Sequence, residues 1–133
     1  MLINHIKGDI FTTKDKHIIF AINKEGKNGG FAGQVAKKGF TELIDTGGNE
    51  LGDIIDKTID GITYHGIVCH SLENGWDGSA SIILDALNKM KFNDDASIVA
   101  IGSGFTGIMQ GAPYEEIIEA FDISNKRLTV WTH

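Results

Sequence analysis

Two glycine-rich stretches of this chain each follow a short apolar run, and each leads into a helical pattern. The first, Gly29-Gly30-Phe31-Ala32-Gly33, comes after Ile18-Ile19-Phe20-Ala21-Ile22-Asn23. The second, Gly102-Ser103-Gly104-Phe105-Thr106-Gly107, comes after Ser97-Ile98-Val99-Ala100-Ile101. A strand that opens through glycines onto a helix leaves unpaired backbone N–H groups and the positive end of a helix dipole facing one point. Glycine lets the backbone approach an anion closely, so such a turn is suited to phosphate. Two of them in one small chain point to a ligand with more than one phosphate, such as a nucleotide diphosphate.

At 133 residues the chain has the length of one domain with a substantial core, so residues 1–133 are expected to form a single domain. The net charge is −6 and Arg127 is the only arginine. That balance argues against binding long nucleic acid, which needs a basic footprint. It leaves small phosphorylated ligands open, because backbone amides supply donors locally. The start of the chain has neither the basic segment nor the roughly 7–15-residue apolar core of a signal peptide. No run approaches the roughly 18 apolar residues of a membrane span, so no membrane association is expected. The single cysteine, Cys69, lies in the apolar run Gly66-Ile67-Val68-Cys69 and reads as an inert buried thiol. It fits a reducing cytosol, and a cytoplasmic location is the expectation.

Apolar runs of strand length occur at residues 2–6, 16–22, 53–55, 61–69, 96–101 and 127–132. Helical periodicity lies between them. Val35, Ala36 and Phe40 mark one face of a helix expected over 30–44. Ser79 and Ser81 offer caps for a second, with Ile82, Ile83, Ala86, Leu87 and Met90 on its apolar face and an end near Lys91. A third is expected over 112–121, with Pro113, Glu115 and Glu116 suited to its first turn and Ile117, Ile118 and Phe121 facing the core. Asp60-Gly61 reads as a hairpin turn between two apolar runs. The order β, β, α, β-hairpin, α, β, α, β implies an α/β fold in three α/β/α layers, with a central mixed sheet covered on both faces. Ligands of such sheets bind beyond the carboxyl ends of the strands, where both glycine turns fall.

Taken together these stretches resemble the macro domain family, which binds ADP-ribose. Gly8-Asp9-Ile10 is similar to that family's Gly-Asp-Ile, and the resemblance implies that Asp9 and Ile10 lie at the adenine. The strand ending in Asn23 is similar to the family's, with Asn23 near the distal ribose. Gly30, Phe31, Ala32 and Gly33 resemble the first glycine loop. Ser103, Gly104, Phe105, Thr106 and Gly107 resemble the second, which wraps the diphosphate. Leu128-Thr129-Val130-Trp131-Thr132 resembles the closing strand. The implied partners are ADP-ribose or an ADP-ribosylated protein, with no cofactor and no metal. The chemistry of single residues is consistent with this. Asp9 can accept from an exocyclic amine, or it can simply cap a turn. Asn23 can hold a ribose hydroxyl, or it can satisfy its own loop. Phe105 and Trp76 either border the ligand or pack on the core.

The pattern breaks at one point. Gly8-Asp9-Ile10-Phe11 and the last strand resemble the branch of terminal ADP-ribose protein glycohydrolases and ADP-ribose 1''-phosphate phosphatases. The glycohydrolases of that branch use a lysine after the middle strand and an aspartate in the second glycine loop. Here the first stretch reads Val68-Cys69-His70-Ser71-Leu72-Glu73, and Thr106 stands where the aspartate is expected. Lysine-based attack on the ribose C1'' carbon therefore has no nucleophile. An ordinary histidine titrates near neutrality, so His70 is the candidate general base for hydrolysis; its alternative is a structural role at a strand end. Glu73 and Asp77 read as solvated loop charges. His5, His17, His65 and His133 have no metal-ligand spacing and read as structural or surface groups. Three functions stay open: a hydrolase of ADP-ribosyl linkages or ADP-ribose 1''-phosphate, a non-catalytic reader of ADP-ribosylated protein, and a soluble trap for an ADP-ribose-like signalling nucleotide.

Overall fold

A computed structural model describes residues 3–25, 30–40, 49–70, 80–99 and 114–132, and its elements follow the expected order. The strands are β1 (Ile3–Lys7), β2 (His17–Asn23), β3 (Ile54–Ile59), β4 (Ile62–His70), β5 (Ala96–Val99) and β6 (Leu128–Thr132). The helices are α1 (Gly30–Lys37), α2 (Ala80–Lys89) and α3 (Tyr114–Ile123). One sheet holds all six strands in the order β1-β6-β5-β2-β4-β3. Every neighbouring pair is parallel except β3 with β4. The β3–β4 turn has Asp60 at φ 50° and Gly61 at φ 82°, two successive left-handed residues as a tight hairpin of this hand requires.

Several boundaries differ from the sequence reading. Helix α2 runs from Ala80 to Lys89 rather than to Lys91, and Ser81 lies in its first turn rather than before it, so it is not the cap. Strand β3 runs to Ile59 rather than stopping at Ile55, because six of its residues register against β4 although Asp56, Lys57 and Thr58 are polar. Helix α1 stops at Lys37 rather than running to residue 44. Gly39 at φ 127° turns the chain, and the Phe40 N–H donates back to the Val35 carbonyl at 3.4 Å. Phe40 does face the core, fully buried and edge-on to Phe20, but from beyond the helix end. Helix α3 continues to Ile123, where the Ser124 hydroxyl donates to the Phe121 carbonyl at 2.9 Å. Residues 41–44 and 100–101, and Pro113, lie outside the described residues.

Alternation along β2 divides the core in two. Ile19 and Ala21 point to one face, where Ile83, Ala86 and Leu87 of α2 and Ile117 and Phe121 of α3 cover them. Ile18, Phe20 and Ile22 point to the other, where Phe31, Ala32 and Val35 of α1 cover them. A strand sealed on both faces must be apolar throughout, which explains why this run shows no alternation. Each large side chain so buried contributes about 1.5–3 kcal/mol. Cys69 is buried in the first of these clusters. Among the described residues no helix is long and apolar enough to cross a membrane.

Near the amino end of β2 the apolar core gives way to a polar chain. Asp56 of β3 registers opposite His65 of β4, and the His65 Nδ1–H donates to Asp56 Oδ1 at 2.6 Å. That leaves Nε2 of neutral His65 as an acceptor for His17 Nδ1–H at 2.9 Å. Nε2 of His17 lies 3.5 Å from Asp94 Oδ2. Phe92 stacks on His17 at 3.9 Å between ring centroids. Burial pushes His65 below the ordinary histidine value, and the hydrogen bond to Asp56 opposes this without reversing it. A base whose pKa is lower in the folded state binds its proton more readily when unfolded. Its contribution to stability is therefore complete above the unfolded value, about 6.5, and is lost as pH falls through the folded value. Urea unfolding should show stability falling between about pH 7.5 and pH 5.5, and His65→Gln should flatten that fall. An equal fall in both proteins would assign the effect to other groups.

Candidate functional site

Because β1, β6, β5, β2 and β4 are mutually parallel, their carboxyl ends share one edge of the sheet. The segment leaving β1 there carries Gly8, Asp9 and Ile10. Asp9 caps a short 3₁₀ turn at Ile10–Thr12, one carboxylate oxygen accepting from the Phe11 N–H at 3.0 Å. The side chain is exposed, and its second oxygen has no partner among the described residues. Ile10 is 5% exposed and anchors the turn in the core. Thr13 then hydrogen-bonds the buried Ser97 hydroxyl of β5 at 2.8 Å, and Ser97 donates to Asp15 at 2.8 Å. The indole N–H of Trp131 in β6 donates to the same hydroxyl at 2.9 Å, and its ring lies against Gly8. The Asp9 segment is thus held at both ends by the strands beside it.

Asn23 ends β2, is 7% exposed, and registers with His70, the last residue of β4. A register shift between Ile22 and Asn23 breaks the regular ladder there, a local irregularity of the kind that re-aims a side chain at a strand end. Helix α1 begins at Gly30, so the first-turn N–H groups of Gly30, Phe31, Ala32 and Gly33 have no partner within the helix. The Phe31 ring is turned away from that end. It stacks on Phe11 at 5.1 Å, meets Phe20 edge-on at 5.7 Å, and is 3% exposed. What Phe31 offers an anion is therefore its backbone N–H, while its ring fixes the helix start. Ala32 is buried and Gly33 half-buried. Lys38 lies over Phe11, its Nζ 4.4 Å from the ring centre.

Gly8–Ile10, Asn23, the backbone of His70 and the start of α1 therefore belong to the carboxyl side of the sheet. Strand β5 ends on that side too. The residues expected to follow it, Ser103, Gly104, Phe105, Thr106 and Gly107, lie outside the described residues, as do Glu73, Trp76 and Asp77. Among the described residues no group of histidine, cysteine or carboxylate side chains could hold a metal ion. The supporting roles of Ser97 and Trp131 escaped the sequence reading. A serine in the otherwise apolar run Ala96-Ser97-Ile98-Val99 was the available signal, since a buried hydroxyl requires partners.

No protein-family model matches the chain, and no curated protein sequence matches it. Solved structures do. The macrodomain of Mycobacterium tuberculosis DarG superposes with a TM-score of 0.73 at 15% identity, covering 99% of this chain and 98% of that one. The macrodomain of Thermus aquaticus DarG gives 0.68 at 12% identity, covering 99% of each. The alphavirus P23pro-zbd structure gives 0.69 at 13% identity over 99% of this chain, which spans 22% of that longer chain. At these identities the likeness is one of fold, and it agrees with the mixed sheet layered between helices. The chain has the macrodomain fold.

Proposed function

We propose that this chain, as one domain over residues 1–133, binds ADP-ribose or an ADP-ribosyl group at the carboxyl edge of its sheet, in a cytoplasmic setting. The observation that carries the reading is the convergence at that edge, in a macrodomain fold, of the capped Asp9 turn, Asn23 and the first turn of α1. In this reading the exposed oxygen of Asp9 accepts from the adenine amine, with Ile10 packed beneath. The diphosphate lies between Gly30–Gly33 and residues 103–107, held by backbone N–H groups and the dipole of α1. Asn23 serves the distal ribose. Two macrodomains of DarG among the structural relatives support the ligand class.

Calorimetry with ADP-ribose, AMP and ATP tests this, and ADP-ribose should bind most tightly. Asp9→Ala should weaken ADP-ribose by about 1–3 kcal/mol, the cost of leaving a polar partner unpaired. It should also destabilise the fold by about 0.5–2 kcal/mol through loss of the cap. Asp9→Asn keeps an oxygen for Phe11 but loses the charge, so it separates the two effects. Unchanged ADP-ribose affinity in both variants would refute the adenine assignment.

The lysine and aspartate that the glycohydrolase branch uses are absent from the matching stretches of this sequence. That observation favours binding without lysine-based turnover, as in a reader of ADP-ribosylated protein or a trap for a related nucleotide. Hydrolysis of an ADP-ribosyl linkage or of ADP-ribose 1''-phosphate would fall to His70. Its backbone registers beside Asn23 at the end of β4, and in that reading its imidazole would activate a water while the amides hold the diphosphate. Release of ADP-ribose or phosphate should then drop at least about tenfold in His70→Ala, with ADP-ribose affinity little changed. An unchanged kcat would remove His70 from the chemistry, and no turnover by the parent chain would leave the binding roles.

A further inference from the structure

The amino ends of β5 and β6 lie at the opposite edge of the sheet from the candidate site. The segments entering those two strands enclose a pocket of about 210 Å³ lined by Phe92, Asn93, Asp94, Asn125, Lys126 and Arg127. Lys126 is 3% exposed, unusual for a lysine. Its ammonium donates to Asn125 Oδ1 at 2.6 Å and lies 5.2 Å over the Phe92 ring, and both partners are neutral. Among the described residues no carboxylate pairs with it. Of the nearby carboxylates, Asp95 pairs with Arg127 at 2.9 Å, and Asp94 Oδ2 lies 3.5 Å from His17 Nε2.

The walls are held before any ligand arrives. The Asn125 N–H donates to the Asn88 side chain at 2.8 Å, and its amide reaches the Asn88 carbonyl at 3.4 Å. That leaves Asn125 Oδ1 facing Lys126. Arg127 Nη2 donates to the Asn93 carbonyl at 2.7 Å. An ammonium has three donors and a guanidinium five, so both cations retain donors beyond the bonds described. Burying a cation against neutral groups alone is costly, and an anion within reach would remove much of that cost. Desolvation pushes Lys126 below the ordinary lysine value, in keeping with the missing counter-ion.

We propose that this pocket is a second ligand site that takes a compact oxyanion, a small carboxylate or inorganic phosphate, on Lys126 with support from Arg127. The volume sets the size class: it falls below the roughly 300–1,000 Å³ of pockets for drug-sized molecules. The two edges are built from different residues, so this site does not depend on the nucleotide reading of the other.

Nuclear magnetic resonance titration of the full chain with sodium acetate and with sodium phosphate, each against sodium chloride at equal ionic strength and pH, tests the assignment. Saturating shifts at the amides of Asn93, Lys126 and Arg127 are expected with an oxyanion and not with chloride. A response to acetate alone makes the ligand a carboxylate, and a response to phosphate alone makes it a phosphate. Lys126→Met should abolish the response and should fold, because it replaces an unpaired buried cation with an apolar chain. Asp94→Asn, at an exposed carboxylate lining the pocket, should tighten binding by about threefold. Shifts that never saturate, that chloride reproduces, or that survive in Lys126→Met would overturn the proposal. Unchanged affinity in Asp94→Asn would overturn the assigned position of the anion even if Lys126→Met failed to fold.

Discussion

Parallel pairing of β2 with β4 on one side and β5 on the other sets the placement of everything else. The strand is buried on both faces, so its register is fixed twice over. A slip of one residue would exchange the Ile18, Phe20 and Ile22 set for Ile19 and Ala21 and present each helix layer with the wrong shapes. Three consequences follow. Asn23 and His70 end side by side, β5 ends on the same side of the sheet, and the chain leaving β2 must return as α1 across one face. The candidate site is therefore a by-product of strand direction rather than of any single loop.

The same facts explain what the sequence made legible. A solid apolar run bounded by polar residues marked β2, and Asp60-Gly61 marked the hairpin, because in each case one local constraint dominates. The end of α1 was missed because Phe40 continues the apolar periodicity, although Gly39 after Lys37-Lys38 is the usual signal for a helix end and takes φ 127° here. The second half of β3 was hidden because Asp56 and Thr58 are exposed, and an exposed strand residue has no need to be apolar. At the candidate site, Asp9 lies just after β1 and Asn23 ends β2, and it was the resemblance of their stretches to the macro domain family that singled them out. The contacts of Ser97 with Thr13, Asp15 and Trp131 span up to 84 residues of sequence, and spacing cannot register them. The same holds for His17 and His65, 48 residues apart and in hydrogen-bond contact.

Preorganisation at the candidate edge comes from packing beneath it. Phe31 stacks on Phe11, and Phe11 belongs to the turn that Asp9 caps. One aromatic pair thus joins the start of α1 to the segment after β1. Ile10 below and the Ser97 network beside it restrain the same turn. A ligand arriving there meets donors and an acceptor whose relative positions are already set, so less conformational entropy is lost on binding.

Any attraction for an anion at the two edges would have to be local, because the chain as a whole opposes anions. Its 18 carboxylate residues against 12 lysine and arginine residues give a field of the wrong sign for phosphate. Salt screens that field over about 8–10 Å, whereas dipoles and charges in a partly desolvated pocket act at hydrogen-bond distance through a much lower effective dielectric. At the carboxyl edge the donors are uncharged backbone N–H groups. At the amino edge the donor is an ammonium that the surplus of carboxylates leaves unpaired among the described residues. Geometry accounts for that. Asp95 is tied to Arg127 and Asp94 lies beside His17, and among the described residues neither forms an ion pair with Lys126. Lys126 is left with an amide oxygen and an aromatic face. A negative protein can thus hold a desolvated positive point where its neighbouring acids do not reach it, and an anion placed there would gain most.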